Sequence, residues 1–197
     1  MKILRTCLLV FIVAVILTGL IYPTFITIIA QTAFRDKAQG SIIRNDGKVL
    51  GSYLIAQKFN KDKYFWPRPS AVGYNPMPSG GSNLSATSKT LHETINQRKR
   101  SLLASDRSKK EVQIPSDLLY SSGSGLDPHI SPASALFQSN RVAKSRYIKK
   151  AKLIELINKA TENRDLLIFG EPRVNVLKLN LLLEERTFSI GEDIFLF

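Results

Sequence analysis

The chain has 197 residues, with 28 Lys and Arg against 16 Asp and Glu, a formal net charge of +12 and one cysteine, Cys7. A lone cysteine excludes an intramolecular disulfide and a zinc site built on paired cysteines. The positive excess leaves nucleic acid, anionic headgroups or an acidic protein open as partners, and the length suits one modest domain beyond the first 34 residues.

No residue from Thr6 to Phe34 is charged. The stretch Leu8–Ala30 is mostly Leu, Ile, Val, Phe and Ala, and at about 1.5 Å per residue it reaches about 34 Å, enough to cross a bilayer core. That is longer than the core of about 7–15 residues in a cleaved signal peptide, and no clear A-x-A site follows. The expectation is a retained anchor over residues 1–34 and one folded domain over residues 35–197. Gly19 and Pro23 lie inside the anchor, where small residues and proline are tolerated beside neighbouring helices, so the pair marks a packing face. Lys2, Arg5 and the free amino terminus on one flank nearly balance Arg35, Lys37, Arg44 and Lys48 on the other, so flanking charge does not orient the helix.

Ser41–Leu50 holds two apolar runs around Asn45-Asp46-Gly47, which predicts a β-hairpin. Residues 64–82 concentrate aromatics, prolines and glycines and predict ordered loop. Helical spacing returns at Leu84, Leu91, Ile95, Leu102 and Leu103, with Ser82 and Asn83 as capping candidates and Arg98, Lys99 and Arg100 facing outward. Residues 105–113 read as a charged loop. Ser131-Pro132 has the form of an N-cap followed by a first-turn proline, which predicts a helix over about 132–147 and a second over about 149–162. Val174–Leu181 reads as a strand whose alternation slips between Val176 and Leu177, so a helical reading stays open. The fold class expected is α+β: one transmembrane helix, then one soluble mixed α/β domain.

Chemistry-bearing motifs are sparse. The chain has no phosphate loop, dinucleotide fingerprint, nucleophile elbow or Ser-x-x-Lys pair. His92 and His129 are not spaced to share a metal, so neither a metal site nor a catalytic residue is expected. Asp127-Pro-His129 suits a hydrogen-bonded loop better than a ligand set. The glycine-rich runs Ser79–Asn83 and Ser121–Gly125 could expose N–H groups to an anion, although tight turns at positive φ explain Gly80, Gly81, Gly123 and Gly125 more simply. Arg141, Lys144, Arg146, Lys149, Lys150 and Lys152 form a basic run without interleaved aromatics. Headgroups or solvent suit that run better than nucleic acid.

Several segments, in order, carry a resemblance. They are Thr18-Gly-Leu-Ile-Tyr-Pro23, Gly51-Ser-Tyr-Leu-Ile-Ala-Gln57, Tyr64-Phe-Trp-Pro-Arg-Pro-Ser-Ala71, Ser79-Gly-Gly-Ser-Asn-Leu84, Ser122-Gly-Ser-Gly-Leu-Asp-Pro-His-Ile-Ser-Pro132 and Gly170-Glu-Pro-Arg-Val-Asn-Val-Leu-Lys-Leu-Asn180. Together they resemble the C subunit of Kdp-type potassium-transporting ATPases over nearly the whole chain. Departures are Pro67 in place of a usual glycine, Ser85-Ala86-Thr87 in place of Gly-Pro-Thr, and an extension over Glu184–Phe197.

The resemblance implies a non-catalytic subunit in the bilayer of the cytoplasmic membrane, crossing once. Its partners would be a channel-like potassium-binding subunit, a P-type ATPase subunit and a small single-helix subunit. ATP and potassium would be handled by the complex, with no cofactor bound by this chain. It also implies an alternative, a catalytic chaperone that raises ATP affinity of the pump subunit, with Gln138 as nucleotide contact. A single helix cannot serve both a cytosolic ATP site and the outer potassium entrance, and the outer face is the placement expected for the domain.

Overall fold

The computed structural model describes residues 1–45, 47–106 and 114–184. Asp46 of the expected hairpin turn, residues 107–113 of the charged segment and residues 185–197 of the extension lie outside them. The chain divides into two compact units, Met1–Ser52 and Tyr53–Phe197.

In the first unit, α1 (Lys2–Ile16) and α2 (Tyr22–Ala33) form one continuous rod through a π-helical turn at Leu17–Ile21. Lys2–Ala33 is the one helix, among the described residues, long and apolar enough to cross a membrane. The π turn has a local cause. Pro23 has no N–H, and its ring would collide with the carbonyl of the residue four before it, Gly19, so the backbone widens there. Thr18, Thr27 and Thr32 return their hydroxyls to the carbonyls of Ala14, Pro23 and Ile28 at 2.7–2.8 Å, so these polar groups are satisfied within the helix. A short turn, α3 (Arg35–Ala38), precedes the hairpin β1 (Ile42–Asn45) and β2 (Lys48–Ser52), paired antiparallel with an irregularity between Ile43 and Arg44. Gly47 takes φ +76°, as the turn reading expects.

The second unit is α+β. Helix α4 (Lys89–Ser105) starts later than the periodicity suggests. Ser88, not Ser82 or Asn83, is its N-cap, with Oγ accepting from Leu91 N at 3.4 Å. Asn83 sits at φ +52°, in the left-handed region, where no helix can begin. Arg98 also turns inward rather than out, donating to Leu119 O at 2.6 Å and Ser121 Oγ at 3.0 Å. Helix α5 (Pro132–Arg146) begins where Ser131-Pro132 predicts, with Ser131 Oγ accepting from Ser134 N at 3.1 Å. It is followed by α6 (Lys150–Ala160).

The three short strands β3 (His129–Ile130), β4 (Thr161–Glu162) and β5 (Arg173–Asn175) form an antiparallel sheet in the order β3-β5-β4. The alternation slip has a clear origin. Asn175 ends β5 and caps a helix, α7, over residues 176–184: its Oδ1 accepts from Lys178 N at 3.1 Å, so the period changes from two to 3.6 at that point. The segment is therefore half strand and half helix, not one strand.

Helix α5 buries eight of its fifteen residues and lies between two apolar clusters, with Ala133, Leu136, Lys144 and Ser145 exposed. Phe137 meets Ile95, Leu102, Leu118 and Leu119, whereas Ala135 and Val142 join Leu153, Ile157, Val174 and Leu179. This central helix positions the polar groups that follow.

Candidate functional site

Residues 62–66 run across the second unit without regular structure, so their backbone groups need partners from side chains. Two primary amides provide them. Asn180 Oδ1 accepts from Phe65 N at 2.8 Å and its Nδ2 donates to Phe65 O at 3.0 Å. Gln138 Oε1 accepts from Trp66 N at 2.8 Å and its Nε2 donates to Trp66 O at 3.1 Å. Each carboxamide thus pairs with one residue as a neighbouring strand would. Arg141 donates to Asp62 O at 2.6 Å and Tyr64 O at 3.0 Å, and Arg146 donates to Lys63 O at 2.6 Å.

Gln138 is 2% exposed, and its Oε1 also accepts from Arg141 at 2.7 Å. Both ends of its amide are engaged inside the domain. The Arg141 guanidinium stacks 3.9 Å from the centre of the Trp66 ring. Burial pulls its pKa down to about 10, against the opposing pull of Asp62 and Asp106. The basic run therefore does not form one exposed face. Arg141 and Arg146 keep only 3% and 5% of their side chains exposed, while Lys144, Lys149, Lys150 and Lys152 stay outside.

The two glycine-rich runs meet each other instead of opening helices. Gly80 N donates to Ser124 O at 2.9 Å, Ser122 N to Pro69 O at 3.2 Å and Gly125 N to Ser122 O at 3.3 Å. The N–H groups of Gly80, Ser122 and Gly125 are thus paired with backbone rather than turned toward an anion. Gly125 has φ +70°, and a Cβ there would lie 2.6 Å from Val72 Cγ2 and 2.8 Å from Gly80 O. Gly81 would bring a Cβ within 3.2 Å of Gly123 O. Neither Gly80, Gly81 nor Gly123 is at positive φ, so the turn explanation holds for Gly125 alone; the other positive-φ position in these runs is Asn83.

The two paired glycine-rich loops form a clasp, and Asp127 closes it. Its Oδ1 accepts from His129 N at 2.9 Å, with His129 Nδ1 3.7 Å away, and its Oδ2 accepts from Arg68 at 2.9 Å. These groups border a cleft of about 660 Å³ together with Asp117, Ser131 and Arg173. Asp117 is itself held by Ser131 N and by the Ser134 hydroxyl. A second cleft, about 310 Å³, is lined by Phe59, Trp66, Tyr74 and Arg98. Tyr74 donates to Arg68 O at 2.9 Å, and burial pushes its phenol up to about 12 despite the nearby Arg98 charge. Among the described residues no group of three His, Cys, Asp or Glu side chains could hold a metal ion.

Burial alone would raise the Asp127 carboxyl, but the His129 and Arg68 contacts outweigh it and hold the group below its usual value. Glu184 behaves alike: burial is outweighed by Arg146, Tyr64 and Lys63. A carboxyl depressed in the folded state contributes stability above its unfolded value of about 4, and that contribution is lost as pH falls through the lower folded value. The urea midpoint of the chain in detergent should therefore drop between about pH 5 and about pH 3, and Asp127→Asn should flatten that drop. An equally steep drop in the variant would remove Asp127 from the account.

The family described as KdpC, the c chain of the K+-transporting ATPase, matches residues 4–185. The chain belongs to the KdpC family. A Potassium-transporting ATPase KdpC subunit from Polynucleobacter asymbioticus is 46% identical over 93% of this chain and 98% of its own length. Relatives of the same description from Leptospira interrogans and Caldanaerobacter subterraneus are each 48% identical, covering 86% and 88% of this chain and 86% and 90% of their own. The family resemblance carried by the ordered motifs is thus matched over most of the sequence. The chain is a KdpC subunit of a potassium-transporting ATPase, with one apolar helix that is a candidate membrane span.

Proposed function

We propose that the chain is a non-catalytic subunit that stabilises assembly of a high-affinity, ATP-driven potassium uptake complex. It holds together a channel-like potassium-binding subunit, an ATP-hydrolysing P-type subunit and a small single-helix subunit. The observation that carries this reading is the engagement of Gln138. Its carboxamide holds the backbone of Trp66 and braces Arg141 from within the core, with both its oxygen and its nitrogen already bonded inside the domain. The glycine-rich runs serve the same end, tying loop to loop. Their sequence lacks the lysine and hydroxyl pattern of a phosphate loop.

The anchor over residues 1–34 packs on a partner helix through its Gly19 face, next to Pro23. A Cβ at Gly19 meets nothing within 4 Å in this chain, which leaves the face open to close approach by another helix. The domain lies on the outer face of the cytoplasmic membrane, since large domains translocate regardless of modest flanking charge.

Complexes purified in detergent from cells with and without this chain test the assembly role. Without it, joint recovery of the remaining subunits should fall by about an order of magnitude, and the full chain should restore it. Full recovery of a complex that merely needs more ATP would favour the catalytic-chaperone reading instead.

A further inference from the structure

Between β4 and β5 the chain turns back at Leu166, Leu167, Ile168 and Phe169, which are 81%, 86%, 73% and 63% exposed. Four consecutive apolar side chains are thus presented at the end of a closed turn. Ile168 N donates to Asp165 O at 3.2 Å, and Asp165 and Phe169 exchange two backbone hydrogen bonds at 2.9 Å. Leu166 and Leu167 sit at φ 51° and 65°. Two consecutive residues at positive φ are what a type I′ hairpin turn requires, and Asn-Gly is the pair that satisfies it best. Leucine has a bulky γ-branched side chain and none of the local hydrogen bonding that eases Asn into this region. The sequence therefore places leucines where the backbone disfavours them and the domain buries neither. An outlier of this kind points to a role outside the fold.

The base of the turn indicates what meets the tip. Arg164 bonds both carboxylate oxygens of Glu171 at 2.9 Å. Arg173 pairs with Glu162 at 3.3 Å and with Asp165 at 3.8 Å, and Lys178 pairs with Glu162 at 3.5 Å. Three acids and three bases neutralise one another beneath the apolar tip, on a chain whose net charge is +12. A loop suited to anionic headgroups would turn uncompensated cations toward them. An apolar centre inside a self-paired polar collar has instead the composition of a protein–protein hot spot.

We propose that Leu166–Phe169 is a docking tip that enters an apolar socket on another protein subunit of the same membrane complex. The closed turn fixes the backbone that carries the four side chains before contact, which limits the backbone ordering cost of association. This inference rests on the assembly reading and adds to it the surface through which the second unit engages.

The test is the double variant L166N/L167G in the full chain, expressed with its complex. Asn-Gly suits the turn, so the melting temperature of the chain in detergent should hold or rise. Recovery of the chain with the other subunits should fall on the order of tenfold. A benzophenone side chain at position 167 should crosslink to a protein subunit of the complex. Unchanged recovery overturns the proposal; if removing the whole chain still disperses the complex, the assembly reading survives that failure. Loss of recovery with a lowered melting temperature also overturns it, because the leucines would then serve the fold. So does a crosslink to lipid, to a second copy or to residues 185–197 of the same chain.

Discussion

Gly125→Val should lower the melting temperature of the second unit by about 10 °C. The new Cβ would meet Val72 Cγ2 at 2.6 Å and Gly80 O at 2.8 Å, and the residue would be held at φ +70°. A non-glycine residue in the left-handed region costs about 1–2 kcal/mol, and overpacking about 1–3 kcal/mol more. Taking about 3 kcal/mol, at about 2–4 °C per kcal/mol for a chain of this size, gives the stated shift. Gly123→Ala is the control. Gly123 is not at positive φ and a Cβ there meets nothing within 4 Å, so its melting curve should stay nearly unchanged. If Gly125→Val left the curve intact while the complex failed to form, the clasp would be an interface and not a fold element.

Gln138→Ala should be comparably damaging. It removes three hydrogen bonds at once, leaving Trp66 N, Trp66 O and one Arg141 N–H without their partner at a site where Gln138 is 2% exposed. Each orphaned buried group costs about 1–3 kcal/mol, more beside a charge, so a total of about 3 kcal/mol or above is expected. Gln138→Glu should be milder than Gln138→Ala, because a carboxylate still accepts from Trp66 N and Arg141, although its second oxygen then faces the Trp66 carbonyl as acceptor against acceptor. Thermal denaturation of the two variants checks the order, and equal melting temperatures for Ala, Glu and the native residue would contradict it. Any loss of pump activity with Gln138→Ala must therefore be separated from loss of the folded subunit.

Local chemistry made part of this architecture legible in the sequence. Ser131-Pro132 announced the start of α5 because an N-cap hydroxyl and a first-turn proline act within one turn of chain. Asp46-Gly47 announced the hairpin for the same reason. The start of α4 was misplaced because Asn83 resembles a cap in sequence yet sits at φ +52°, and only the surrounding loop dictates that. At Asn175 one side chain ends a strand and begins a helix, so neither period alone describes the segment.

The core polar node was out of reach of local reasoning. Gln138 and Trp66 are 72 residues apart, and Asn180 and Phe65 are 115 apart, so nothing in either neighbourhood signals the pairing. The basic run misled similarly. Arg141 and Arg146 look like surface charge in sequence, but lone carbonyls of residues 62–64 draw them inward. The apolar tip at Leu166–Phe169 carries no local signal of its exposure either. Four hydrophobic residues in a row suggest burial, and only the closed turn shows that they point out.

We infer that Gln138 serves the fold and assembly of the subunit and does not touch nucleotide. Its most direct test is the ATP dependence of hydrolysis by purified complexes containing either the native chain or Gln138→Ala, matched for bound subunit and measured below the variant's melting transition. The same half-saturating ATP concentration is expected for both. A several-fold rise in that concentration, in complexes that retain the folded variant subunit in full, would contradict it.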